Sequence, residues 1–103
     1  MSEVRVTRDV TVGVPDGIHL RAATLIAGLV RRFRSDVVLV KDHERVSGAE
    51  VLQILLLTTG QGDRLTVEAT GEDAEEAVDA LVELFAGNFG ETQEKPEEAE
   101  NQA

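Results

Sequence analysis

Gly17-Ile18-His19-Leu20-Arg21 sets an imidazole and a guanidinium two residues apart, directly after a glycine turn and directly before a helical pattern. A histidine at the cap of a helix lies beside the N–H groups of the first turn, which have no intrahelical partner and stabilise an anion. Arg21 adds a fixed positive charge. The chemistry that suits such a site is the holding of a phosphoryl group on a histidine. The nucleophile must be a neutral imidazole and the product carries a dianion, so a positive helix end disfavours the imidazolium beforehand and stabilises the added charge afterwards. The same spacing also describes an ordinary helix cap, so the elements that must position His19 have to be read next.

The chain has 103 residues, of which 42% are apolar, enough for one domain with a modest core and a tail. Phenylalanine is the only aromatic type present, which leaves the core to Val, Leu, Ile and Ala. Without cysteine there is no disulfide framework, no thiol nucleophile and no cysteine-based zinc site. One histidine near the turn, with no carboxylate spacing to complete a ligand set, gives no metal site, and no cofactor is expected. A formal net charge of −10 argues against nucleic acid or an anionic membrane as a general partner. Arg31, Arg32 and Arg34 fall near the end of a predicted helix, where the negative terminus favours them. The N-terminus lacks the pattern of a signal peptide, and the longest apolar run, Ile54-Leu55-Leu56-Leu57, is too short to span a bilayer. A soluble, cytoplasmic protein without membrane insertion is the expectation.

From residue 4 to 14 apolar residues alternate, with Val4, Val6, Val10, Val12 and Val14 on one side, as a half-buried strand requires. Gly13 marks a bulge or a close approach, and Pro15-Asp16-Gly17 ends the strand. Between Leu20 and Phe33 the period becomes helical, through Ala22, Ala23, Ile26, Leu29, Val30 and Phe33. Val37-Val38-Leu39-Val40 predicts a second strand, and Arg45-Val46 begins a third after a turn that contains His43. Ser47-Gly48-Ala49-Glu50 has capping-box spacing and predicts the start of a second helix, with Val46 and Val51 as its hydrophobic staple. That helix is apolar on more than one face. Some of its side chains, Leu52 among them, are therefore either exposed as a docking surface or all buried. Arg64–Thr70 alternates as a fourth strand, and Asp73 with Glu76 repeats the capping spacing before a third helix through Ala77, Val78, Leu81 and Phe85. The domain spans residues 1–90. Residues 91–103 are acidic, without apolar period, and form a tail that does not order itself. The order β-α-β-β-α-β-α predicts an α+β fold: a two-layer open-faced sandwich of antiparallel strands with helices on one face.

The chain resembles the HPr family, the histidine-containing phosphocarriers of the phosphoenolpyruvate-dependent phosphotransferase system. The resemblance runs from Val10 to Glu91. It is carried by Gly17-Ile18-His19-Leu20-Arg21, by Leu57-Thr58-Thr59-Gly60-Gln61-Gly62-Asp63, by Gly71-Glu72-Asp73-Ala74 and by Asn88-Phe89-Gly90-Glu91. It implies a four-stranded antiparallel sheet covered by three helices. It also implies that His19 accepts a phosphoryl group from phosphorylated enzyme I and passes it to an enzyme II A domain, with Arg21 stabilising the group. Such a carrier is a stoichiometric intermediate, not an enzyme, and acts as a monomer. In the family the phosphoryl is carried on Nδ1, a choice that this sequence alone does not make. The family's partner-docking positions fall on Leu20, Val51, Leu52 and Gln53.

The chain departs from the family pattern at three places. Ala22 stands where proline usually follows the arginine, an expected loss of about 0.4 to 1 kcal/mol through the freer unfolded chain. Glu50 stands where many relatives carry a serine that a regulatory kinase phosphorylates, so kinase control at this position is absent. Its carboxylate is read either as the capping-box residue, which needs no further assumption, or as a built-in negative charge. The acidic tail extends beyond the family's usual end. Two other readings stand beside the carrier: a regulatory paralogue signalling to non-transport proteins, and a binding module that kept the fold without the chemistry.

Overall fold

In the computed structural model, which describes residues 4–91, the elements follow the expected order. They are β1 (Arg5–Thr11), α1 (Leu20–Val30), β2 (Asp36–Lys41), β3 (Glu44–Ser47), α2 (Val51–Leu56), β4 (Arg64–Thr70) and α3 (Ala74–Ala86), closed by a 3₁₀ turn at Asn88–Gly90. The tail beyond Glu91 lies outside the described residues. Among the described residues no helix is long and apolar enough to cross a membrane.

The four strands form one sheet in the order β1-β4-β2-β3, with every pairing antiparallel. Only β2 and β3 are neighbours both in sequence and in space. The first strand pairs with the last, Val6 opposite Ala69 and Val10 opposite Leu65. Period-two alternation explains which face is buried: Val6, Val10, Val37, Leu39, Leu65, Val67 and Ala69 point to one side and meet the apolar stripes of α1 and α3. Ala22, Ala23, Ile26, Ala27 and Val30 supply the stripe of α1, and Ala74, Ala77, Val78, Leu81 and Phe85 that of α3. The small residues Ala74 and Ala77 let α3 lie close to β1 and β4, while α1 packs beside α2 and α3. On the other face, Glu68 of β4 is bridged by Arg5 of β1 at 3.1 Å and by Arg45 of β3 at 2.7 Å. The Arg45 hydrogen bond, then the charges, hold the Glu68 carboxyl below its ordinary range.

Several expectations are corrected by long-range contacts. β1 ends at Thr11, yet Val12 and Val14 stay fully buried because the chain continues along the Gly60–Asp63 turn: Val12 N–H donates to Asp63 O at 2.8 Å, and Gly62 N–H to Val12 O at 2.7 Å. Gly13 is a close approach, since a Cβ there would lie 2.4 Å from Asn88 Oδ1. Val4 is exposed rather than buried. α1 stops at Val30, three residues short of Phe33. In the β2–β3 turn, which lacks glycine, Asp42 takes the left-handed conformation at φ 56°.

Neither capping box forms. Ser47 belongs to β3, opposite Val38, and the N-cap of α2 is Glu50, whose side chain makes no capping bond. The residue that reaches back is Gln53, whose Oε1 accepts from Ser47 N–H at 2.9 Å. Asp73 is the N-cap of α3, but its carboxylate is engaged by Arg34 N–H at 2.9 Å and by the hydroxyl of Ser35 at 2.6 Å. It therefore ties the α1–β2 connection to the start of α3 instead of capping its own helix.

Candidate functional site

His19 is the N-cap of α1, with an extended backbone at φ −96° and ψ −173°. Its carbonyl accepts the first intrahelical bond, from Ala23 N–H at 2.8 Å. The N–H groups of Leu20, Arg21 and Ala22 consequently have no intrahelical partner and open toward the end of the helix where the imidazole sits. Gly17 makes this entry possible. It adopts φ 72°, and a Cβ there would stand 2.0 Å from the carbonyl oxygen of Thr59. The next residue, Ile18, donates its N–H to Thr59 Oγ1 at 2.9 Å and buries its side chain. The turn after α2 thus clamps the turn before α1, and His19 emerges from that clamp.

On the other side of His19 is the end of the described chain. Nε2 of His19 lies 2.8 Å from Oε2 of Glu91, and NH1 of Arg21 lies 3.3 Å from the same oxygen. Arg21 NH1 also donates to the carbonyl of Phe89 at 2.9 Å. That carbonyl is aimed by an unusual piece of backbone: Asn88 and Phe89 both have positive φ, 54° and 55°. A phenylalanine there costs roughly 1 to 2 kcal/mol. Burying its ring contributes about 2 to 3 kcal/mol, and Phe89 is fully buried, edge-on to Phe85 with centroids 4.9 Å apart. Burial wins, so the ring anchors the turn that carries the Phe89 carbonyl and Glu91 to the site.

His19 and Glu91 are partly buried, their side chains 36% and 27% exposed, whereas Arg21 is 54% exposed. A carboxylate only accepts hydrogen bonds, so the proton of the His19–Glu91 contact is on Nε2. In the neutral imidazole Nδ1 then carries the lone pair. Among the described residues Nε2 is the only ring nitrogen of His19 with a partner.

The other residues singled out from the sequence fall on the two adjoining helices. Leu20 opens α1 at 62% exposure, and Leu52 in the first turn of α2 is 75% exposed. Leu56 joins them as an exposed leucine. Val51 packs partly into the core, and Gln53 is exposed. α1 and α2 pack against each other. Glu50 is exposed and faces Arg31 across 3.8 Å, while Arg31 Nε donates to Ala49 O at 2.9 Å. His43 lies in the β2–β3 turn, apart from the site. Sequence reading placed Thr59, Phe89 and Glu91 in family-like motifs without giving them a role, and it also counted Glu91 with the tail. The motif does not disclose Glu91's partner, which is 72 residues away.

Comparison with known proteins places this arrangement in a family. The model for the PTS HPr component phosphorylation site matches residues 6–87. The chain is 37% identical over 87 residues to the phosphocarrier protein NPr of Shewanella violacea, covering 84% of this chain and 96% of that one. It is 34% identical to the phosphocarrier protein HPr of Cupriavidus necator, covering 82% and 94%. A 34% identical match to the phosphoryl donor subunit DhaM of the PEP-dependent dihydroxyacetone kinase of Providencia stuartii covers 87% of this chain but 19% of that longer protein. In structure the chain is similar to HPr of Thermoanaerobacter tengcongensis, with a TM-score of 0.82 at 31% identity, covering 85% of this chain and 99% of the other. Motifs, fold and relatives agree, and the chain belongs to the HPr phosphocarrier family, carriers of a phosphoryl group rather than catalysts.

Proposed function

We propose that this chain is a phosphohistidine carrier that accepts a phosphoryl group on His19 from phosphorylated enzyme I and delivers it to an enzyme II A domain. The observation that carries this reading is the geometry at the start of α1: an imidazole at the N-cap, three first-turn N–H groups without intrahelical partners, and a guanidinium two residues on. The N–H groups and Arg21 supply positive potential where a dianion is to be held. Leu20, Val51, Leu52 and Gln53 form the surface on which both partners dock in turn, in keeping with the exposure of Leu20 and Leu52. Residues 1–90, with Glu91 beside His19, make up the working domain, and the protein acts as a monomer.

A second reading keeps the chemistry and changes the acceptor. It is supported by the relatives, which include a phosphoryl donor subunit of a PEP-dependent dihydroxyacetone kinase as well as HPr and NPr phosphocarriers.

The deciding experiment is incubation of the full chain with phosphoenolpyruvate and enzyme I, followed by intact mass and acid treatment. One acid-labile phosphate, lost in His19→Ala, is expected. A folded protein that gains no mass with its cognate enzyme I overturns the carrier reading in favour of a binding module. Adding an enzyme II A domain then separates the acceptors: loss of the phosphate identifies the transport branch, and retention points to another recipient.

A further inference from the structure

We infer that Glu91 is a positioning residue for the phosphoryl transfer: it binds the Nε2–H of His19, fixes that tautomer, and so makes Nδ1 the nucleophile. The inference rests on the carrier reading and adds to it the residue that selects the reacting nitrogen. Its basis is the 2.8 Å contact between Nε2 and Oε2 of Glu91, together with the partial burial of both side chains. A hydrogen bond at one imidazole nitrogen decides what the other can do. With the proton held on Nε2, the lone pair of Nδ1 is free for attack, and no base is needed to remove a proton from the attacking atom.

The balance of the step follows. Nδ1 attacks phosphorus and the Nδ1–P bond forms. The bond from phosphorus to the donor atom breaks, and its electron pair stays with the donor. Nε2 keeps its proton, so the ring becomes a phospho-imidazolium whose positive charge faces the Glu91 carboxylate. In delivery the Nδ1–P bond breaks, its electron pair returns to Nδ1, and the ring is again the neutral Nε2–H tautomer. The same carboxylate therefore serves both directions.

Arg21 fits this scheme. Its NH1 is held at 2.9 Å by the Phe89 carbonyl and at 3.3 Å by the same Oε2 of Glu91. Glu91 thereby sets the imidazole and the guanidinium in one arrangement before any phosphoryl group arrives. The bond at Nε2 leaves Nδ1 without a protein partner among the described residues, and the first-turn N–H groups of α1 together with Arg21 supply positive potential for the dianion.

The test uses the full chain, with Glu91→Gln, Glu91→Ala and Glu91→Asp. Long-range ¹H–¹⁵N spectra of unphosphorylated protein, recorded where the imidazole is neutral, report which nitrogen bears the proton. The parent and Glu91→Gln, whose amide oxygen still accepts, are expected to show Nε2–H and a bare Nδ1. Glu91→Ala is expected to move toward the exchanging mixture of a solvated histidine. In phosphoryl transfer from enzyme I, Glu91→Ala, which loses both the hydrogen bond and the charge, is expected to lower kcat about tenfold with KM little changed. Glu91→Gln, which keeps the tautomer and loses only the charge facing the phospho-imidazolium, is expected to lose less. Glu91→Asp is expected to recover part of that loss. An Ala variant with the parent's tautomer spectrum, or a full kcat in both Ala and Gln, overturns the inference. If His19 of the parent takes no phosphoryl group at all, the carrier reading fails. The tautomer spectra then still decide whether Glu91 positions the ring.

Discussion

The backbone N–H of Ile18 donates to Oγ1 of Thr59 at 2.9 Å, so the turn that delivers His19 is held by the turn that leaves α2. The adjacent Gly17 faces the Thr59 carbonyl so closely that a Cβ would stand 2.0 Å from it. Two substitutions probe this clamp at different strengths. Thr59→Val keeps the shape and strands the Ile18 N–H, at a cost of roughly 1 to 2 kcal/mol. Gly17→Ala adds a left-handed alanine and a clash with backbone, a cost of about 3 kcal/mol or more. Urea unfolding checks both values. Slower phosphoryl acceptance by folded Thr59→Val, with KM little changed, is the accompanying expectation, and an unchanged rate would separate the clamp from the chemistry.

Leu52 tests the proposed docking surface without touching the core. At 75% exposure its replacement by glutamate changes stability by no more than about 0.5 kcal/mol. Transfer from enzyme I is expected to show a raised KM with kcat nearly kept. A parent-like KM would remove Leu52 from the contact surface.

Glu50 separates two readings by magnitude. A capping-box carboxylate lost to serine costs about 1 kcal/mol. Here the Glu50 side chain makes no capping bond, and among the described residues its ionic neighbour is Arg31 at 3.8 Å on an exposed surface. Such a pair contributes little, so Glu50→Ser is expected to change stability by less than about 0.5 kcal/mol. Urea titration of the two proteins at equal ionic strength is the check.

Asp73 gives the pH dependence its sign. The Ser35 hydroxyl, followed by the Arg34 backbone N–H, holds its carboxyl below the ordinary range in the folded protein. The unfolded chain therefore takes up this proton first as pH falls, and the stabilisation is present above the unfolded value and lost below it. Asp63 shifts the same way, through the Gly60 N–H and then Lys41. Melting temperature is expected to fall as pH drops below about 4. Asp73→Asn is expected to melt lower than the parent at neutral pH, with the difference closing in acid. A difference as large at about pH 3 as at neutrality would show that this carboxylate's ionisation is not what ties α1 to α3.

By itself the sequence determined what rests on local repetition. Alternation along β1 and β4 and the helical period of α1 and α3 depend on hydrogen-bond geometry within a few residues, which is why the element order and most of the core could be read directly. Gly17 before His19 and Arg21 announced the site in the same way, since a turn and a helix start are also local.

Only the tertiary structure decided what closes over long separations. Ser47 has the type and spacing of a cap, but β3 claims it for the sheet, and Glu50 becomes the cap by default. Asp73 likewise gives its carboxylate to Arg34 and Ser35, 39 and 38 residues away. Glu91 reads as the first residue of an acidic tail until the buried ring of Phe89 draws the chain back across α1 and brings its carboxylate to His19. The physical reason is common to all three. A polar side chain near the core takes whichever partner the folded packing presents, and that partner is not encoded in its neighbours along the chain.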